Sequence, residues 1–438
     1  MAAFAAAGLL LGAAVLAATG CASRTRTPQP ARPVLPSTPA AGMAIGITEF
    51  NPNLLWSPAE RSSAPAGLQR WRDALDAINP GVYRLPIDWA QVQPDPSRPP
   101  NWELPLAGCD RDLAPCWRWN GVRDQLDAIR SRQRRGGLDV LVVLTSPPRW
   151  ASPAAPAGCE LSFTARADRG VAPRALGAYA ALARSLLALA AQEGVQLRFW
   201  SPWNEPNAPQ RISPQRASCS AASPSLAAGR YAQLVRALQA VLSSAPGDHQ
   251  LVLGEIAAYG AATPRRTGAL EFLRDLPSDV VCAADVWAQH LYISPAAVGA
   301  QGPALAADGR AGRLDAGASV GLLLQIQAML GARGCRRQYS LWVTETGVGG
   351  PVAGGPRPRD EASARAACRA LAAALSAWDG LGFVRAAVQY TFREDPYYPV
   401  GLADAQLTKS YPTEELWKAW GQRRPGAPPP PLPASCRD

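Results

Sequence analysis

Two glutamates in the 438-residue chain stand where chemistry is possible. Glu205 lies in "RFWSPWNEPN" (198–207), where an apolar run meets an Asn-Glu-Pro turn, and Glu345 lies in "LWVTETGVGG" (341–350), where a second run meets Thr-Gly. Pro206 removes a backbone donor and pushes Glu205 out of the helical region, so the strand stops with the carboxylate at its end. Two carboxylates facing one pocket can cleave a glycosidic bond: a protonated one assists the leaving oxygen while an ionised one attacks the anomeric carbon. Taken singly, each reads equally well as a loop acid or a helix-cap partner. The chemistry requires a fold that brings them together.

Eight β-type runs supply such a fold: 43–50, 81–87, 138–145, 195–203, 250–257, 285–293, 340–346 and 384–392. Helical patterns alternate with them, among them "NGVRDQLDAIRSR", "SLAAGRYAQLVRALQAVL" and "EASARAACRALAAALSAW". By length alone the chain could hold two or three domains, but eight alternations fit a single (β/α)8 TIM barrel over 43–423, with 47% hydrophobic residues to fill its core. The competing doubly wound sheet is disfavoured, because no Gly-rich phosphate loop follows the first strand. In the barrel, strands four and seven face each other across the mouth. Long irregular stretches at 92–118, 146–172, 204–224 and 293–318 follow strands and would project from the C-terminal face, where active sites of this fold lie.

On these residues the sequence resembles the retaining glycoside hydrolases of the (β/α)8 clan A, most nearly family 39, the family of xylosidases, iduronidases and exopolysaccharide hydrolases. The resemblance spans roughly residues 43 to 423. Trp203-Asn204-Glu205-Pro206-Asn207 is similar to the clan's acid/base motif, and Glu345 to its nucleophile. Arg84 resembles the arginine that steadies the nucleophile, His290-Leu291-Tyr292 the clan's His-x-Tyr, and "TSPPRW" (145–150) the segment that carries Trp150 after the third strand. The resemblance implies a retaining glycosidase acting through a covalent glycosyl-Glu345 intermediate, with Glu205 as acid and then base. Asn204 would then bond a sugar 2-hydroxyl, Tyr292 would fix the rotamer of Glu345, and His290 would line the acceptor side. A less polar setting would keep Glu205 protonated. Many clan members carry a Trp platform at the end of the eighth strand; this chain reads "QYTFRED", leaving Tyr390 or Phe392 to substitute. Duller roles stand beside these: Arg84 in a core ion pair, His290 and Tyr292 as satisfied core residues, Trp150 packed under a loop.

The formal charge of +10 comes from scattered arginines, and the one dense cluster, "RSRQRRGG" (130–137), reads as a solvated helix end and not a nucleic-acid surface. Only two histidines, His249 and His290, are present, without HExxH or CxxC spacing, so neither metal nor organic cofactor is implied. Carbohydrate is the expected partner. Residues 1–21 read as an export signal ending in Ala18-Thr19-Gly20-Cys21, similar to a bacterial lipobox whose Cys21 would carry a lipid anchor to the membrane. A Pro/Thr-rich tether over 22–42 follows, and residues 424–438 form a Pro-rich tail. The remaining eight cysteines form an even set suited to an exported protein. Proximity favours Cys109 with Cys116, Cys159 with Cys219, Cys282 with Cys335, and Cys368 with Cys436. A carbohydrate-binding barrel without activity and a transglycosylase are the alternative readings.

Overall fold

The computed structural model describes residues 42–51, 54–55, 66–103, 121–154, 169–260, 262–293, 320–336, 338–349, 357–395 and 398–437. Eight parallel strands close into a barrel in chain order: β1 (Ala44–Thr48), β2 (Val82–Asp88), β3 (Asp139–Thr145), β4 (Phe199–Ser201), β5 (Gln250–Ile256), β6 (Val286–His290), β7 (Ser340–Thr346) and β8 (Val384–Tyr390). The expected (β/α)8 fold is the observed one. The tether, the signal, Cys21, Cys109, Cys116 and Cys159 lie outside the described residues.

Barrel strands are covered on both faces, which is why they read as nearly unbroken apolar runs such as "DVLVVLT" in β3. One face of the barrel packs inward as a plug of Val82, Leu141, Val143, Phe199, Val252, Val286, Ala288, Trp342, Ala386 and Val388. The other face meets the helices in a larger apolar layer. Across the interior, the rings of Phe199 on β4 and Trp342 on β7 lie 4.6 Å apart between centres, directly linking the two strands that carry the glutamates.

Around the barrel lie α1 (Gln69–Ile78), α2 (Trp89–Val92), α3 (Val122–Arg135), α4 (Leu176–Glu193), α5 (Ala227–Ser244), α6 (Ala269–Asp275), α7 (Ser278–Val281), α8 (Val320–Gly331), α9 (Glu361–Gly380) and α10 (Pro412–Gly421); the apolar period predicts all of these except the one-turn α2 and α7. Gly194 ends α4 in the left-handed region, φ 66°, where a side chain is disfavoured. The arginine cluster closes α3: Arg132 caps the Gly136 carbonyl, Arg135 pairs with Asp76, and Arg130 pairs with Asp127 and Glu193. β4 is shorter than the expected 195–203. Val195 still bonds back to Ala190 and Gln196 is held by the Gln133 side chain, so the chain is finishing α4 there.

Two expected disulfides are present, Cys282–Cys335 and Cys368–Cys436. The second ties the tail to α9, where Arg369 also bonds the Cys436 carbonyl. Cys219 is disulfide-bonded as well.

Candidate active site

Strand irregularities aim the polar side chains at the mouth. Side chains along a strand alternate between faces, so Trp342 and Glu345, three apart, should oppose one another. They do not, because the register of β7 slips against both β6 and β8 between Val343 and Thr346, inserting one extra residue that returns Glu345 to the inner face. A similar slip in β5 between Gly254 and Ile256 inserts Glu255. Gly254 is required there: its φ is +96°, and a Cβ would sit 2.2 Å from the Ala288 carbonyl oxygen.

Glu205 is held at φ +43°, a strained setting for a glutamate and a common mark of functional positions. Its amide donates to the Glu255 carbonyl at 2.7 Å. Asn207 then staples the turn to the chain after β5, bonding Ala257 through both its amide oxygen and its amide nitrogen. Trp203, the first residue of the motif, is core: it is buried, and its indole donates to the Arg211 carbonyl at 3.1 Å.

The carboxylates meet around one imidazole. His290 Nδ1 lies 3.0 Å from Glu205 Oε1 and 3.3 Å from Glu345 Oε2, while Nε2 lies 3.1 Å from Glu255 Oε2. An oxygen of Glu205 and one of Glu345 come within 4.8 Å of each other. Arg84 completes the base: Nη2 reaches Glu255 Oε2 at 2.6 Å, Asn204 Oδ1 at 2.8 Å and Glu345 Oε1 at 2.9 Å. Tyr292 donates to Glu345 Oε2 at 2.6 Å. Both oxygens of Glu345 are therefore fixed, and Asn204, its oxygen used by Arg84, keeps its amide N–H groups for a ligand.

These positions bear on each expected residue. Arg84, Asn204, Glu205, His290, Tyr292 and Glu345 share one network, in which Arg84 is indeed in a buried ion pair. His290 is not on an acceptor-side wall but buried beneath the two glutamates. Tyr390 closes the eighth-strand side, 6.4 Å from Tyr292 and 6.1 Å from Tyr398 between ring centres, and donates to Asp395. Phe392 is fully buried against Trp71 and takes no part. Trp150 packs edge-on against Trp89 and spends its indole N–H on the Gln93 carbonyl.

Two residues were missed from sequence. Glu255 sits inside an apolar strand run that reads as core, and the preceding Gly254 is the only sign of a bulge. Tyr398, 4.6 Å from Tyr292, comes from a loop without periodicity. Glu49, a third strand-end acid, is spent on the backbone amides of Asn51 and Arg393 and stays structural.

Burial works against every charge here, and the partners decide the outcome. For Glu255 burial pushes up, but Arg84 and His290 prevail and bring its pKa down to about 2. For His290 burial pushes down, yet Glu345, Glu255 and Glu205 hold the imidazolium up to about 10. Arg84 is likewise held cationic by Glu255 and Glu345 against burial. Burial raises the Tyr292 phenol, and Glu345 raises it further, so it remains a donor. Glu205 runs against the sequence expectation. Burial favours its protonated form, but donation from His290 and the charges of His290, Arg211 and Arg84 outweigh it, holding the carboxyl below the usual range. Three carboxylates thus face two buried cations, His290 and Arg84, with Arg211 farther out. Among the described residues Glu205, His290 and Glu345 are the one group whose atoms could converge on a metal ion. With both ring nitrogens facing carboxylates, however, His290 is a double donor and has no lone pair to offer.

No protein-family model and no curated protein matches this chain. Solved structures do. SrfJ from Salmonella typhimurium is 12% identical over 88% of this chain and 76% of its own, with a TM-score of 0.54. A glucosidase from Croceicoccus marinus is 12% identical over 87% and 68%, with a TM-score of 0.50. A family 39 glycoside hydrolase from the gut symbiont Bacteroides cellulosilyticus WH2 is 15% identical over 87% and 64%, at 0.48. At such identities the likeness is one of fold: the chain is a (β/α)8 barrel similar to those of SrfJ and the glucosidase.

Proposed function

We propose that this protein is a retaining glycoside hydrolase in which Glu345 is the nucleophile and Glu205 the acid and then the base. The observation that carries the reading is the pairing of two strand-end carboxylates whose oxygens approach within 4.8 Å above one imidazolium. Retaining enzymes keep their carboxyl groups about 5–5.5 Å apart, whereas inverting ones need about 6.5–9.5 Å to seat a water. The environments of the pair also differ. Glu345 is 8% exposed and fixed at both oxygens, as suits an ionised nucleophile, while Glu205 is 23% exposed with one oxygen turned to His290.

In the first half-reaction Glu345 attacks the anomeric carbon as Glu205 gives its proton to the leaving oxygen. A sugar that displaces water from the mouth strengthens the burial effect on Glu205 and moves it towards the protonated form this step needs. In the second, ionised Glu205 takes a proton from water, and its tie to His290 stabilises the ionised state. Asn204 donates to the sugar 2-hydroxyl, and Tyr292, Tyr390 and Tyr398 wall the subsite of the cleaved residue. The disulfides suit an exported protein, and lipidation at Cys21 would tether it to the envelope. The reading is tested by following hydrolysis of aryl glycosides and exopolysaccharides by NMR. Products released first with the substrate's anomeric configuration support it; inverted products, or no cleavage across the panel, refute it.

A further inference from the structure

Several arginines with little exposed side chain are ion-paired among the described residues: Arg84 with Glu255 and Glu345, Arg216 with Glu271, Arg357 with Glu394, Arg423 with Asp379. Arg211 and Arg266 differ. Each is half-buried, and its guanidinium makes no hydrogen bond to another described residue. Among the described residues neither guanidinium enters an ion pair. A half-buried guanidinium left without a counter-charge or acceptor is unfavourable, so two of them on neighbouring loops suit an anionic ligand.

Their location names the side of the cleft. Arg211 lies in the loop between β4 and α5, and Arg266 in the loop between β5 and α6. The Arg266 Cζ sits 4.8 Å from the centre of the Tyr259 ring. Arg211 is close enough for its charge to act on Tyr259, and also on Glu205, Asp88 and Tyr390 around the mouth. Arg266 thus lies on Tyr259, and the charge of Arg211 acts on both Tyr259 and Glu205, whereas Arg84 and Tyr292 contact Glu345.

The loops that carry them are braced. Arg211 and Ile212 bond back to Ala208, and the Arg211 carbonyl is held by Trp203. Thr263 and Arg266 bond each other, and paired Arg216 grips the carbonyls of both.

We propose that Arg211 and Arg266 form an anion-binding subsite on the leaving-group side of the cleft, which receives an acidic substituent of the substrate, a uronate carboxylate or a sulfate ester. The placement on the leaving-group side rests on the hydrolase reading, in which Glu205 faces the leaving oxygen. Guanidinium presents paired N–H donors that match two oxygens of either group, and the half-buried setting strengthens the contact. Occupancy also couples to the chemistry. An anion that neutralises Arg211 removes one of the charges that keep Glu205 ionised, so an acidic substrate favours the protonated acid.

The test measures binding to the full chain carrying Glu345→Gln, by calorimetry at low ionic strength. Alginate oligosaccharides are compared with their carboxyl-reduced forms, and carrageenan oligosaccharides with their desulfated forms. In at least one pair the charged oligomer should bind about tenfold tighter or more, which identifies the anion. Arg211→Ala and Arg266→Ala should each abolish most of that preference, and the Lys variants should keep part of it, which separates lost charge from lost folding. Charged and neutral forms that bind alike, no binding in either pair, or a preference that survives both Ala variants would overturn the subsite. Cleavage is not part of this readout. A protein that binds anionic oligomers through these arginines but hydrolyses nothing fails as a hydrolase while the subsite stands, and one that cleaves only neutral glycans, indifferent to both substitutions, does the reverse.

Discussion

His290 Nε2 faces Glu255 Oε2 across 3.1 Å, with both side chains fully removed from water at the ends of neighbouring strands. That pair fixes the state of the ring on which Glu205 and Glu345 converge: with Glu255 ionised below it, the imidazole donates from both nitrogens.

His290 should accordingly be an imidazolium at about pH 8, well above the ordinary histidine range of about 6.5. The chain has only two histidines, so a nitrogen-15 NMR titration can assign it. Its folded pKa, near 10, lies above the unfolded one. The stability it contributes is complete below about pH 6.5 and drains as the pH climbs through 10. Glu255→Gln should pull the titration down. Glu255→Ala should cost about 3–5 kcal/mol in chemical denaturation, because two buried cations lose their shared counter-charge. A neutral ring at about pH 8 in the intact protein would refute this assignment.

Tyr292→Phe removes one hydrogen bond to an ionised carboxylate and little volume. Such bonds contribute about 1.5–3 kcal/mol, so kcat should fall roughly 10- to 100-fold with KM changed less and thermal stability nearly kept. A wild-type kcat would mean that Arg84 alone positions Glu345.

The pH profile should show the Glu205 acid in two states. In the free protein its pKa is lowered, so the protonated form is lost early as pH rises and the falling limb of kcat/KM lies at low pH. Bound sugar raises it, so the falling limb of kcat should lie higher. Limbs that coincide, or kcat/KM persisting to higher pH than kcat, would contradict the account.

Cys282–Cys335 closes a loop with a sequence separation of 53, and Cys368–Cys436 one of 68. Removing either should cost roughly 2–5 kcal/mol. Cys282 follows α7 ahead of β6 and Cys335 follows α8 ahead of β7, at the strand starts and away from the strand ends that carry the glutamates, so Cys282→Ser should leave kcat unchanged wherever the variant stays folded. Non-reducing peptide maps should recover both pairs.

The barrel was legible because eight apolar runs alternate with helical patterns, and Glu205 and Glu345 were legible because Pro or Gly cuts each strand beside them. What the alternation could not reveal was the extra residue in β7 that brings Glu345 onto the face of Trp342, or the one in β5 that exposes Glu255 to the site. A bulge is a matter of register between strands, and no single strand records it. The ionisation of Glu205 was misjudged for a related reason. Apolar neighbours are visible along the chain, whereas His290, Arg211 and Arg84 become its neighbours only in the closed barrel. Arg211 and Arg266 looked like any loop arginines until their missing partners could be seen.

The division of labour between the glutamates is tested most directly by azide rescue on the activated aryl glycoside that the wild-type protein cleaves best. Glu205→Ala keeps its nucleophile, and a good leaving group needs little protonation, so the glycosyl-enzyme should form and accumulate for want of a base. Azide needs no base; it should speed turnover and yield a glycosyl azide of retained configuration, while Glu345→Ala stays inactive by several orders of magnitude without yielding that product. An azide of inverted configuration from Glu205→Ala, or wild-type hydrolysis by both variants, would contradict the account.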